Sequence, residues 1–248
     1  MDKYGIIGFP LGHSFSRDFF TEKFAREGID AQYLNFEIPD VAMLKDVLRD
    51  NPELRGLNVT LPHKQAVIPL LDELSDEARE IGAVNVIKIS QLSNCKIVKL
   101  KGFNSDIIGF TESIKPLLKS HHKRALVLGT GGASKAICVG LKRLGIEWKY
   151  VSRTPHEGII TYKDITAETL QEYTVVVNCS PVGMFPKEDE APAIPYEYLT
   201  SKHLLFDCVY NPEDTLFMQR GRAQSATVKN GLEMLCLQAI ASWNFWNT

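Results

Sequence analysis

Four short polar clusters hold the residue types that could do chemistry in the first part of this chain. Gly12-His-Ser14-Phe-Ser16 and Asn58-Val-Thr60-Leu-Pro-His-Lys64 each follow a short apolar run. Gly82-Ala-Val-Asn85 and Gly102-Phe-Asn104-Ser-Asp106 open and close a strand pair. Serine and threonine hydroxyls and asparagine amides read ligand hydroxyls in either hydrogen-bonding sense, and a lysine meets a carboxylate or polarises a hydroxyl. Together with one carboxylate, Asp106, this set suits a small polyhydroxylated acid. Each residue also has a plain structural reading: Ser14 and Ser16 as helix caps, Lys64 as a solvated lysine, Asn85 and Asp106 as turn residues.

A second kind of chemistry sits further on. Ala125-Leu-Val-Leu-Gly129-Thr130-Gly131-Gly132-Ala133-Ser134 reads as a strand, a tight turn and a helix, the context in which bare backbone N–H groups cradle a pyrophosphate. The third fingerprint position is Ser134 rather than glycine or alanine, and an ordinary tight turn is the alternative. At the end of the next strand, Val151-Ser152-Arg153-Thr154 offers no acid for a ribose 2′-hydroxyl. It offers a guanidinium that pairs bidentately with phosphate, and two hydroxyls beside it. The expected cofactor is therefore NADP rather than NAD, unless Arg153 is merely a solvated surface residue.

These residues need elements to hold them. Tyr4–Gly8, Ala31–Glu37 and Gly56–Thr60 read as strands, and Ala83–Lys88 with Lys96–Lys101 as a hairpin joined through Ser90–Asn94. Ser16 is a candidate N-cap for a helix through Phe24 closed by Gly28; Val41–Arg49 and Ile68–Ile81 carry helical spacing. After a linking helix over Ile107–Leu118, strands are expected at 125–128, 148–151, 174–178, 203–207 and 226–230, a loop at 185–196, and a helix from Gly231 to the end. The 248 residues thus form two α/β domains, and more than a hundred residues precede the glycine loop, enough for a separate substrate-binding domain.

Composition narrows the partners. A net charge of −2 and 23% charged residues, without a dense basic run, favour neither nucleic acid nor a membrane surface. No apolar run reaches transmembrane length and no leader pattern opens the chain. Five scattered cysteines without a C-x-x-C, and histidines without H-x-x-x-H spacing, predict reduced thiols, a cytoplasmic location and no metal. The apolar end with Trp243, Phe245 and Trp246 is expected to cap the first domain, and monomer and homodimer both stay open.

Along nearly its whole length the chain resembles the shikimate/quinate dehydrogenase family. The resemblance rests on Gly8–Ser16, Asn58–Lys64, Gly82–Asn85, Gly102–Asp106, the Gly129 loop, Ser152–Thr154, Asn178–Met184, Asp207–Pro212 and Gly231–Gln238, in that order. It implies a substrate domain over 1–105 with a mainly parallel sheet, completed by the C-terminal helix over 231–248. It also implies a Rossmann-like NADP-binding domain over 106–230 and an active-site cleft between the two. Lys64 and Asp106 match the catalytic pair. Ser14 and Ser16 match the residues for the substrate carboxylate; Thr60, Asn85, Tyr210 and Gln238 match those for its hydroxyls and ring. Gly129, Thr130, Gly131, Gly132 and Ala133 correspond to the pyrophosphate loop, Ser152, Arg153 and Thr154 to the 2′-phosphate site, and Cys208 and Gly231 to the nicotinamide pocket. The implied reaction is reversible NADPH-dependent reduction of 3-dehydroshikimate to shikimate. Ser105, Ser152 and Cys208 depart from the usual threonine, asparagine and methionine, and a further basic residue beyond Arg153 is missing. Serine at 16 favours shikimate over quinate. A relaxed quinate or NAD enzyme and a non-catalytic ligand sensor are the rivals; the sensor predicts a lost lysine or aspartate, and both are present.

Overall fold

The structure is a computed structural model that describes residues 1–12, 15–91 and 98–248. Two compact units emerge, Met1–Ser105 with Gln238–Thr248, and Asp106–Leu237. The first contains β1 (Asp2–Gly8), α1 (Phe15–Glu27), β2 (Ala31–Glu37), α2 (Leu44–Asp50), β3 (Leu54–Val59), α3 (His63–Ala66), β4 (Glu73–Leu74), α4 (Asp76–Ile81), β5 (Val86–Gln91) and β6 (Val98–Phe103). Its sheet runs β2-β1-β3-β5-β6-β4. The β1–β2, β1–β3 and β4–β6 pairs are parallel, and β5 is antiparallel to both neighbours. Side chains alternate between two cores, as a doubly covered sheet requires. Ile7 packs with Leu44, Leu57, Val67 and Val84 on one face. Tyr4 and Ile6 join Phe20, Phe24, Tyr33 and Trp246 on the other.

The second unit contains α5 (Asp106–Ile114), β7 (Arg124–Leu128), α6 (Gly132–Arg143), β8 (Glu147–Ser152), β9 (Ile160–Thr161), α7 (Ala167–Glu172), β10 (Val175–Asn178), β11 (Leu204–Asp207), α8 (Leu216–Ala223) and β12 (Thr227–Lys229). Every strand pair is parallel, in the order β12-β11-β10-β7-β8-β9. That is the doubly wound dinucleotide-fold order, with its switch point between β7 and β10. Ala125–Leu128 and Val175–Val177 are wholly buried, which explains their unbroken apolar runs.

The structure corrects three sequence expectations and adds two helices. Ile68–Ile81 is not one helix: β4 pairs with β6 inside it, and Ser75 caps α4 by accepting from the Ala78 N–H at 3.2 Å. Ser16 lies within the first turn of α1 rather than at its N-cap. The helices α7 and α8, capped by Thr166 and Thr215, were not anticipated. Finally, α9 (Leu232–Trp246) begins in the second unit, where Met234 packs with Phe110 and Phe206, so the return to the first unit falls at Gln238 rather than Gly231. Part of the expected hairpin, 92–97, lies outside the described residues.

Candidate active site

The topology of the first sheet gathers its polar clusters. The parallel strands β1 and β3, and β6 on the far side of β5, finish at one end, and antiparallel β5 starts there. Ser16, Thr60–Lys64, Asn85 and Ser105 therefore all follow or precede strands at that end. Ser14 lies outside the described residues.

The turn that carries Lys64 is tightly held. Thr60 N–H donates to the Ile7 carbonyl at 3.0 Å, His63 N–H to the Thr60 carbonyl at 2.9 Å, and Val84 N–H to the Lys64 carbonyl at 2.8 Å. His63 is buried and its Nε2 lies 2.6 Å from the Ile38 carbonyl. Lys64 and Thr60 are themselves half-buried, within reach of a ligand. Asn85 is 5% exposed, and its amide brackets Ser105: Nδ2 donates to Ser105 Oγ at 3.0 Å, and Oδ1 accepts from Ser105 N–H at 2.7 Å. This turn-fixing use leaves one Nδ2 hydrogen for a ligand hydroxyl. Asn104 Nδ2 ties the same segment to the Ala83 carbonyl at 3.0 Å. Asp106, the residue after Ser105, is buried and opens α5 as the first residue of the second unit. Gln238, half-buried on α9, falls in the first unit.

In the second unit, Gly129 follows β7 at a φ of +103°, which favours glycine, and a Cβ there would press on the Ser180 N–H at 3.3 Å. Gly131 is the N-cap of α6 and supplies no side-chain cap, no acid stands in the first turn, and a Cβ at Gly131 would meet only open space. Unclaimed amide donors before a clear volume fit a pyrophosphate. The departing Ser134 is fully buried and donates to the Gly131 carbonyl at 2.7 Å, so it completes the turn without obstructing it. After β8, Ser152 Oγ accepts from Thr154 N–H at 3.2 Å, a local turn with Arg153 exposed at its apex. A guanidinium so placed fits a phosphate on the ribose.

Beyond β10 and β11 stands a network that sequence reading assigned no role. Asn178 and Asp207, both fully buried, close the two strands, and Asn178 Nδ2 donates to Asp207 Oδ1 at 3.0 Å. Asp207 also accepts from Val209 N–H at 3.0 Å and Thr215 Oγ1 at 2.7 Å. Burial pushes its carboxyl up to about 6, against the pull of these donors. Cys208 and Tyr210 follow, half-buried, with burial raising the Tyr210 phenol. Gly231 is needed beside them because a Cβ would run into the Cys208 carbonyl. His63 and this network were discoverable only as polar residues standing in or next to apolar runs.

Among the described residues no group of three or more His, Cys, Asp or Glu could hold a metal ion, and no helix is long and apolar enough to cross a membrane. The described cysteines 138, 179, 208 and 236 are free thiols.

Comparison with known proteins agrees with this architecture. The sequence pattern of the shikimate dehydrogenase substrate binding domain matches residues 6–87. The NADP(+) shikimate dehydrogenase of Methanosphaera stadtmanae is 34% identical over 98% of this chain and 90% of its own length. The Thermus thermophilus shikimate 5-dehydrogenase, solved with NADP(H) and shikimate, superposes with a TM-score of 0.84 at 31% identity, covering 99% of this chain and 93% of that one. The Listeria monocytogenes shikimate 5-dehydrogenase, solved with shikimate and NAD, gives 0.87 at 28% identity, covering 100% of this chain and 92% of that one. With a 34% identical relative matched over essentially the full length, the chain belongs to the shikimate dehydrogenase family.

Proposed function

We propose that this protein is an NADP-dependent shikimate dehydrogenase, reversibly reducing 3-dehydroshikimate to shikimate on the route to chorismate and the aromatic amino acids. The observation that carries the reading is a rigidly held lysine turn at one sheet end, in a family member whose other unit is a doubly wound sheet with an uncapped glycine turn. The first unit would take the substrate and the second the cofactor, with Lys64 and Asp106 supplied by different units.

NADPH, when bound, supplies the hydride that goes to the ketone carbon. Lys64 meets the oxygen of that ketone as negative charge develops, stabilising it and passing a proton to it; in the oxidising direction its neutral amine takes the hydroxyl proton. Asp106 accepts a hydrogen bond from the same hydroxyl and orients the ammonium. Ser14 and Ser16 hold the carboxylate, while Thr60, Asn85, Tyr210 and Gln238 hold the hydroxyls and ring. Gly129, Thr130, Gly131, Gly132 and Ala133 cradle the pyrophosphate. Ser152, Arg153 and Thr154 take the 2′-phosphate, and Cys208 and Gly231 line the nicotinamide pocket. Free thiols fit the reducing cytoplasm.

An initial-rate assay crossing shikimate and quinate with NADP+ and NAD+ tests the reading. The expected result is turnover mainly with shikimate and NADP+. A folded protein that turns over no pair would contradict it. Relaxed NAD use is the second reading, favoured by Arg153 having no second basic residue beside it, and comparable rates with NAD+ would establish it.

A further inference from the structure

The buried carboxylate of Asp207 needs an explanation. It is fully buried, accepts three hydrogen bonds and has no basic side chain paired with it among the described residues. Burying a charge that no cation meets lowers stability, and a neutral or apolar group would be easier to place there. Two of its three bonds serve the segment that follows it, and the third ties it to β10. Asn178 joins the end of β10 to the end of β11, and its Oδ1 accepts from Ser180 N–H at 3.1 Å and Ser180 Oγ at 2.6 Å. Thr215, eight residues on, anchors the loop where it enters α8. Val209 N–H is the one backbone donor within the Cys208–Tyr210 turn that Asp207 takes. The rest of the turn is pinned by backbone: Cys208 N–H donates to the Asn178 carbonyl at 2.9 Å, and Gly231 N–H to the Val209 carbonyl at 3.1 Å. Gly231 also lies flat against the Cys208 carbonyl.

We propose that Asp207 is a positioning residue for the reaction: by holding Val209 N–H it sets the Cys208–Tyr210 turn, and so the placement of the thiol and the phenol at the strand ends. This rests on the reading above that Cys208 lines the nicotinamide pocket and Tyr210 faces substrate. Side-chain placement errors of about an ångström at a reacting centre reduce turnover up to a hundredfold, whereas affinity held on remote phosphates is little affected.

The test compares wild type, Asp207→Ala and Asp207→Asn. The asparagine keeps Oδ1 toward Asn178 and Val209, and its Nδ2 faces the Thr215 hydroxyl, which can accept. The first readout uses the protein without cofactor: alkylation of Cys208 by iodoacetamide, located by mass spectrometry, with Cys236 on α9 as internal reference. Asp207→Ala is expected to raise the Cys208 rate about tenfold while Cys236 is unchanged, and Asp207→Asn to stay within about twofold of wild type. The second readout is kcat per folded molecule, expected to fall about tenfold or more in Asp207→Ala with the NADP+ KM within about threefold, and to recover in Asp207→Asn. Equal acceleration at Cys208 and Cys236, or unchanged kcat in the folded fraction, would overturn the proposal. If Asp207→Ala does not fold, Thr215→Val, which removes one of the three donors, takes its place with the same readouts and a smaller expected change. Absence of wild-type turnover would instead count against the enzyme reading and leave the alkylation result standing.

Discussion

The two units solve the same problem, presenting polar groups at the ends of a buried sheet, with different materials. In the first, side chains do the work: Thr60, Lys64 and Asn85 stand on turns braced by His63, Asn104 and Ser105. In the second, backbone does it: Gly129 takes a positive φ, Gly131 leaves α6 uncapped, and Gly231 admits the Cys208 carbonyl. The bracing differs as well. Asn85 is braced by a neutral serine, whereas Asn178 is braced by a carboxylate. Side chains can be tuned to a reacting atom, and backbone amides suit a diffuse anion that needs neutral donors at close approach. The side-chain turns of the first unit should therefore be sensitive in turnover, and the glycine turns of the second in affinity and stability.

The largest expected effect belongs to the side-chain end. Lys64→Ala should lower kcat by about a thousandfold while the shikimate KM moves much less, read from steady-state rates. A variant with intact kcat and a weakened KM would reduce Lys64 to a binding residue and dissolve the contrast.

Next is a pH effect that belongs to the second unit. The Asp207 carboxyl is raised from 3.8 to about 6 in the folded chain by burial. The folded state thus prefers the protonated form, so this contribution to stability is complete below the unfolded value and is lost as pH rises through 6. Asp207→Asn should remove that slope. The difference between wild type and variant in unfolding free energy, measured from pH 4 to pH 8 by denaturant titration, should change by up to about 3 kcal/mol. A parallel pair of curves would show that the carboxyl is not perturbed.

Gly231→Ala should then destabilise the chain by roughly 2 kcal/mol, because the new methyl group meets backbone and not a flexible side chain, and the loss is read as a lowered Tm. The smallest effect is expected at Arg153, which is exposed. Arg153→Ala should raise the NADP+ KM about tenfold, leave the NAD+ KM nearly unchanged and leave kcat alone. An equal rise for both cofactors would remove Arg153 as reader of the phosphate.

The same contrast governs how much could be read from sequence. The glycine turn was legible because its physics is local: strand, turn and helix lie within ten residues, and no distant partner is needed. The polar clusters were legible as types, but their convergence depends on β5 running antiparallel between β3 and β6, which fixes Asn85 against Ser105 twenty residues away. Asn178 and Asp207 are 29 residues apart and meet only through the register of β10 on β11. Ile68–Ile81 misled because β4 has two residues, too few for an alternation to show against helical spacing. The helices α7 and α8 did carry a signal, a threonine cap before each, but their apolar faces are short.

The measurement that bears most directly on this division of labour is a fluorescence titration of NADPH into Lys64→Ala. The account predicts a Kd within about twofold of wild type in a protein that no longer turns over. A Kd weakened tenfold or more, in a folded variant, would mean that Lys64 supports the cofactor and that the two units do not hold separate tasks.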